Sequence, residues 1–290
     1  METRSMWRSL FFAPANRHDL LAKFSRFDAD NNVIDLEDGT PIEQKESARD
    51  RLAEAVAAAR GHDLAGRLFV RINSWPGPYG AADLQAALKC DVDGIVLPKL
   101  EDPNQLREID RIIENSGRPC EIIGGIESIA GVLNVRACVQ ASTRLRALYF
   151  GAEDFMTELG GRRTATGNEV LYARQRVLLV AKSAGMGAID QAVVDIYSEE
   201  SFKDDATSGR DFGFDGKICL NPRQVSLANI LFTPDLTEIR YAQRLLEAVQ
   251  SAPAAGVLSF EGQMVDAPLI KRAQRIVEMA RLSGVPYGQN

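Results

Sequence analysis

Glu121-Ile122-Ile123-Gly124-Gly125-Ile126-Glu127-Ser128 is the stretch whose reading decides the fold. Six residues rich in isoleucine read as a short buried strand. A carboxylate follows at Glu127, and Ser128 can cap a helix over 129–139. This is a βα unit with an ionisable group in its turn. A second unit follows directly, with a strand over 145–150 and then Gly151-Ala152-Glu153-Asp154.

Working outward, the same alternation covers most of the chain. Strands are predicted over 8–13, 32–36, 68–72, 94–97, 121–126, 145–150, 189–194 and 217–220. Gly185 and Gly187 blur the start of the seventh. Helices are predicted between them. Asn16 caps one over 17–27, Pro41 opens one reaching residue 59, Asp102-Pro103 opens one ended by Ser116-Gly117, and another spans 169–184 before Gly185. Eight βα units in about 235 residues suit a closed (β/α)8 TIM barrel better than the rival doubly wound sheet. The rhythm changes after Phe232. A helix over 236–250, a small-residue linker over 251–256, a hairpin turning at Glu261-Gly262 and a final helix over 268–281 read as an extension. The expected division is an α/β barrel domain over 1–250 and a C-terminal helical and hairpin extension over 251–290, packing on a neighbouring subunit.

The chain has 290 residues, 45% of them hydrophobic and 26% charged, which suits one large globular core. Forty acidic residues against 34 basic ones give a net charge of -6, unlike a generic nucleic-acid binder. The longest uncharged runs are too short to span a membrane, and the first eight residues lack the apolar core of a signal peptide. A cytoplasmic protein with no nucleic-acid or membrane partner is expected. The four cysteines are scattered without a CxxC pair and read as reduced core residues. With only His18 and His62, the latter in a polar surface stretch, a Ser-His-Asp triad or multi-histidine metal site is nearly excluded. Acid–base work would fall to carboxylates, lysines or tyrosines.

In a barrel of this kind chemistry gathers at the C-terminal strand ends. Those ends deliver Glu37 and Asp38, Arg71 and Asn73, Lys99, Glu127, Glu153 and Asp154, and Asn221, whereas the N-terminal ends show no comparable concentration. Glu127 and Asp154 lie at adjacent strand ends, where two carboxylates suit a hard divalent cation. The alternative is that each sits at a helix cap. Arg71 could clamp a carboxylate, pair with Glu37 or Asp38, or do both. Lys99 reads as a rim ion pair before it reads as a Schiff-base lysine.

Ten strings then resemble, in order, the citrate lyase beta subunit-like branch of the HpcH/HpaI aldolase superfamily, with its malyl-CoA and citramalyl-CoA lyases. They include Arg8-Ser9-Leu10-Phe11-Phe12-Ala13-Pro14, Asp35-Leu36-Glu37-Asp38, Val70-Arg71-Ile72-Asn73, Leu97-Pro98-Lys99, Gly125-Ile126-Glu127-Ser128, Gly151-Ala152-Glu153-Asp154 and Gly262-Gln263-Met264-Val265-Asp266-Ala267-Pro268. The resemblance implies a TIM barrel that binds Mg2+ through Glu127 and Asp154, with Arg71 on the carboxylate or oxo group of a small acid. Glu37 and Asp38 would support the metal's waters and the arginine. Asp266 would enter a neighbouring subunit's site as acid or base, in a homotrimer or hexamer. The implied reaction is Claisen-type cleavage of a 3-hydroxy-acyl-CoA thioester of a small dicarboxylic or tricarboxylic acid, possible in reverse as a synthase. Citrate lyase beta subunit activity on an acyl-carrier-protein thioester, in a larger complex, and a non-catalytic ligand-binding barrel are the alternatives. The thioester's phosphates call for cations near the mouth, with Arg17 and Lys23, or Arg162-Arg163, as candidates. One position departs from the family: Asn221-Pro222 stands where His-Pro is usual, and an asparagine cannot relay a proton.

Overall fold

The computed structural model of the chain describes residues 5–61, 63–251 and 259–285. His62 and the linker residues 252–256 therefore lie outside the described residues. Eight parallel strands close into a barrel in chain order: β1 (Ser9–Pro14), β2 (Asn31–Asp35), β3 (Arg67–Arg71), β4 (Gly94–Leu97), β5 (Glu121–Ile126), β6 (Leu145–Phe150), β7 (Gly187–Asp190) and β8 (Gly216–Cys219). Leu10 opposite Ile218 and Phe11 opposite Cys219 close the ring, so the doubly wound alternative is excluded.

The interior is filled by one residue level from every strand. Leu10, Val33, Phe69, Val96, Ile123, Ala147, Ile189 and Ile218 form a single buried cluster. Each such large aliphatic or aromatic side chain contributes about 1.5–3 kcal/mol by leaving water. Side chains alternate across a strand, so the inward residue two places further on faces the same axis one layer higher. From Leu10 that residue is Phe12, from Val33 it is Asp35, from Phe69 it is Arg71, from Ala147 it is Tyr149 and from Ile218 it is Leu220. From Ile123 the steps lead through Gly125 to Glu127. The apolar layer thus becomes a polar one on β2, β3 and β6, with Glu127 above β5, within about 7 Å of chain, and stays apolar at Phe12 and Leu220.

Several elements differ from the sequence expectation. β7 starts two residues earlier and stops at Asp190, because Gly185 (φ 69°) ends the preceding helix and releases the chain at once. Residues 191–194 then leave the barrel wall. The helix expected over 17–27 is a four-residue turn, His18–Leu21, and a 3-10 turn, Phe24–Arg26. Asn16 does not cap it, since its side-chain amide donates to Gln44 Oε1. The helix expected from Pro41 is broken at Arg51 into Lys45–Asp50 and Leu52–Arg60. By contrast Pro103–Ser116 carries a full capping box at Asp102 and Gln105, and Ser128 accepts from Gly131 N–H at 3.0 Å.

The N-terminal strand ends also gather charge, against expectation. Arg8 pairs with Asp30 at 2.7 Å, Arg67 with Glu121 at 2.8 Å and Arg60 with Asp93 at 2.9 Å. Arg8 and Asp30 precede the neighbouring strands β1 and β2, Arg67 reaches from β3 past β4 to β5, and Arg60 comes from a helix end to the residue before β4, so the charges neutralise one another. All four cysteines are free and buried. No helix among the described residues is long and apolar enough to cross a membrane.

Trp7–Ile230 forms one compact unit and the chain from Leu231 belongs to another. The helix Leu236–Ser251 packs through Ala242 and Leu245 against Ala273 of the last helix, Ala267–Leu282. Its buried stripe faces the extension, so the units divide after Ile230 and not after residue 250. The strands Ser259–Phe260 and Gln263–Met264 form the expected hairpin, with left-handed backbone at Glu261 (φ 48°) and Gly262 (φ 80°).

Candidate active site

A cavity of about 420 Å³ opens at the C-terminal end of the strands. Asp35, Asp38, Arg71, Glu127, Tyr149 and Asp154 all line it. Its construction can be followed residue by residue from the strand ends.

Asp35 and Arg71 are register partners on β2 and β3. The carboxylate takes the Nε and Nη2 edge of the guanidinium at 2.7 and 2.6 Å. Asp35 also accepts from the backbone N–H of Glu37 and of Gly39, both at 2.8 Å, so it shapes the Asp-Leu-Glu-Asp turn as well as the arginine. Arg71 Nη1 comes within 3.0 Å of Glu37 Oε2. The approach lacks hydrogen-bond alignment, so this buried oxygen has a Coulomb partner and no hydrogen bond. Burial opposes the Arg71 charge, but Asp35, Tyr149 and Glu37 outweigh it and hold the guanidinium ionised well above its ordinary range. The expected partner Asp38 is exposed at the cavity edge. Asp35 takes its place, because inward parity falls on residues 33 and 35 of β2.

Glu127 is 5% exposed and accepts a hydrogen bond from the Tyr149 hydroxyl of the adjacent strand. Two glycines make room for this pair. A Cβ on Gly125 would collide with the Tyr149 hydroxyl and Glu127 Oε1, and one on Gly151 would lie 2.6 Å from Glu127 Cγ. Burial, then repulsion from Glu37, pushes the Glu127 carboxyl up to about 7. Glu37 is raised too, first by burial. A dication is the kind of charge that would hold such desolvated carboxylates ionised.

Asp154 lies in the first turn of the helix Ala152–Leu159, whose N-cap is Gly151. The cap alternative thus falls to the backbone, and Asp154 keeps its carboxylate for the cavity. Lys99 sits between the two carboxylate groups, 3.3 Å from Glu37 Oε1 and 3.3 Å from Asp154 Oδ2. Its backbone is left-handed (φ 49°), an uncommon state for a residue with a Cβ that departs from strand geometry just after β4. These contacts make Lys99 an ion-paired cation, in line with the first of its two readings. Among the described residues no three His, Cys, Asp or Glu side chains form a ready metal cluster. A cation held here would rest on Glu127 and Asp154 and fill its remaining positions with water or substrate oxygens.

Other expected residues lie outside the cavity lining. Asn221 Oδ1 accepts from Gln224 N–H at 3.0 Å, and its amide donates to Ile196 O at 3.2 Å, so it caps the helix Pro222–Leu231 and tethers the loop after β7. Arg17 is exposed and paired with Asp19 at 2.8 Å, and Lys23 is exposed. Arg163 is taken up by Glu153 and Glu169. Asp266, in the C-terminal unit, caps the last helix through Leu269 N–H at 2.9 Å. Asp35 and Tyr149 were missed in the sequence reading. The period-2 step from Val33 and from Ala147 is the signal that finds both.

The model of the family described as HpcH/HpaI aldolase/citrate lyase matches residues 8–222. A citrate lyase subunit beta-like protein of Deinococcus radiodurans is 41% identical over 94% of this chain and 97% of its own. A mitochondrial citramalyl-CoA lyase of Rattus norvegicus is 31% identical over 94% of this chain and 86% of its own. Among solved structures, CitE from Mycobacterium tuberculosis in complex with magnesium, acetoacetate and coenzyme A is similar with a TM-score of 0.80 and 30% identity. That match covers 97% of this chain and 99% of the other.

Proposed function

The chain belongs to the HpcH/HpaI aldolase/citrate lyase family, and from that premise we propose that it is a Mg2+-dependent carbon–carbon lyase of Claisen type. Its substrate would be a 3-hydroxy-acyl-CoA thioester with a carboxylate on the carbinol carbon. The observation that carries the reading is the convergence of Arg71, Glu127 and Asp154 on one cavity. Glu127 and Asp154 would hold the magnesium, which when bound acts as a Lewis acid on the substrate's carboxylate and hydroxyl oxygens.

The chain's own residues do the rest. Asp35 occupies one edge of the Arg71 guanidinium. A substrate carboxylate is therefore met by the remaining N–H groups on the Nη1 side, in an orientation that Asp35 fixes. Tyr149 holds the Glu127 carboxylate at a set rotation. Cleavage takes the hydroxyl proton to a base, breaks the bond between the carbinol carbon and the carbon next to the thioester, and releases a 2-oxo acid. The thioester enolate gains a proton at carbon. Arg71 is the fixed positive charge nearest that electron flow. Asp266 of a second copy would hold the transferred proton, in a trimeric or hexameric assembly. Mixing inactive Asp266→Asn with inactive Glu127→Ala protein should then restore part of the activity. No recovery despite subunit exchange would remove Asp266 from the mechanism.

The test of the reading is a panel of malyl-, citramalyl- and citryl-CoA with and without Mg2+, followed by release of acetyl-CoA, with the same acyl groups on a carrier protein alongside. Mg2+-dependent cleavage of a free CoA ester is expected. Turnover only on the carrier-protein thioester would make the chain a citrate lyase beta subunit. No cleavage of any ester by folded, metal-binding protein would leave a ligand-binding barrel.

A further inference from the structure

The cavity has two unlike walls. Strands β2, β3, β5 and β6 give the polar wall of Asp35, Asp38, Arg71, Glu127 and Asp154. Strands β1 and β8 and the loop after β7 give the opposite wall of Phe12, Ala192, Val194, Ile218 and Leu220, all hydrocarbon. Phe12 ties the two together at the depth where chemistry is proposed: its ring lies 4.9 Å under the Arg71 guanidinium and edge-on to Tyr149 at 6.5 Å. Ile218 is buried and belongs to the barrel's interior cluster, and Ala192 packs on that cluster. The apolar wall therefore reaches from the mouth down to the layer of Arg71.

Charge counting along the same lining is one-sided. Among the described lining residues Arg71 is the sole cation, against the carboxylates of Asp35, Asp38, Glu127, Glu153 and Asp154. Lys99, close by, is shared between Glu37 and Asp154. One substrate carboxylate is accommodated by Arg71 and the proposed cation. A second one, turned to the other wall, would lose its water against Phe12, Ala192 and Ile218, whose side chains carry no donor to replace it, in the field of the carboxylates opposite. A hydrogen or methyl there loses nothing, and a methyl gains about four-fold in affinity by leaving water.

We propose that this site takes an acid whose carbinol carbon bears hydrogen or a small apolar group, so that the 2-oxo acid released has a single carboxylate. This rests on the lyase reading for the reaction but not for the binding preference, which follows from the walls alone. The substrate class is thus the malyl or citramalyl type, and the citryl type, with its extra carboxymethyl group, is rejected.

Equilibrium binding of free 2-oxo acids in the presence of Mg2+ tests the walls without turnover. Glyoxylate, pyruvate and 2-oxobutyrate are compared with freshly prepared oxaloacetate and with 2-oxoglutarate, by calorimetry on the full-length protein. The monocarboxylic acids are expected to bind at least ten-fold more tightly than the dicarboxylic ones. Val194 is 61% exposed and lines the apolar wall, so Val194→Arg can be made with little risk to the core. That variant should shift the ratio toward oxaloacetate by ten-fold or more. Equal or tighter binding of oxaloacetate by the wild type overturns the proposal, and so does failure of every 2-oxo acid to bind. Selective pyruvate binding with no thioester cleaved would keep the wall assignment and remove the lyase reading, so the two can fail separately.

Discussion

Strand β3 carries an inward arginine at each end, and the two have been put to opposite uses. Arg67, at the N-terminal end, donates to Glu121 at 2.8 Å and to Asn31 at 2.6 Å, and its guanidinium lies 4.0 Å over the Trp7 ring. Each of these neighbours closes off one side of it. Burial lowers its proton affinity, and Glu121, Asp93 and Asp30 compensate only in part. Arg71, four residues on, is surrounded by more negative charge than it can neutralise, and it borders the cavity. Buried charge alone therefore does not mark a site in this barrel. The site is marked where charge is left over: an unbonded Glu37 oxygen and a Glu127 carboxyl raised to about 7, beside open volume. The same division of labour, stability below and function above, is general to this fold.

The contrast can be broken from either end. Arg71→Lys should lower kcat/KM by about 10²–10³-fold, roughly 3–4 kcal/mol, with the circular dichroism spectrum unchanged. An ammonium cannot hold Asp35 along one edge and meet a substrate carboxylate with the rest. Near-normal turnover would show that the acid is bound elsewhere. Arg67→Leu should do the reverse and with a smaller effect. Among the described residues it leaves Glu121 with Arg146 as its ion-pair partner, at 3.5 Å, and should cost about 1–3 kcal/mol of stability, read as a drop in Tm of several degrees. Its kcat below that Tm should match the wild type. A loss of activity at unchanged Tm would mean that the lower arginine is coupled to the site after all.

The barrel was legible in the sequence because eight short apolar runs alternate with capped helical segments, and β4, β5 and β6 have the predicted bounds. Residues at the strand ends were legible as types and only in part as partners. Arg71 was expected to pair with Glu37 or Asp38; it does lie 3.0 Å from Glu37, and register and the inward parity from Val33 add Asp35 as its hydrogen-bonded partner. Tyr149 was invisible as a site residue because it reads as one more aromatic in an apolar strand, and only Glu127 across the register reveals its hydroxyl. The charged belt at the strand starts was overlooked for a similar reason. Arg8, Asp30, Arg67 and Glu121 are far apart in the chain and look like ordinary loop polarity until the ring closes. Asn221 shows the opposite case. Its place after β8 suggested substrate contact, but a cap and a tether absorb both ends of its side chain.

The central claim is that Glu127 and Asp154 form one magnesium site beside Arg71. Calorimetric titration of Mg2+ into the wild type, Glu127→Ala and Asp154→Ala tests it most directly. The wild type is expected to bind one ion per chain, and each variant to lose at least ten-fold in affinity while keeping its fold. Wild-type affinity in both variants would contradict the claim and move the metal, and the chemistry with it, away from these two strand ends.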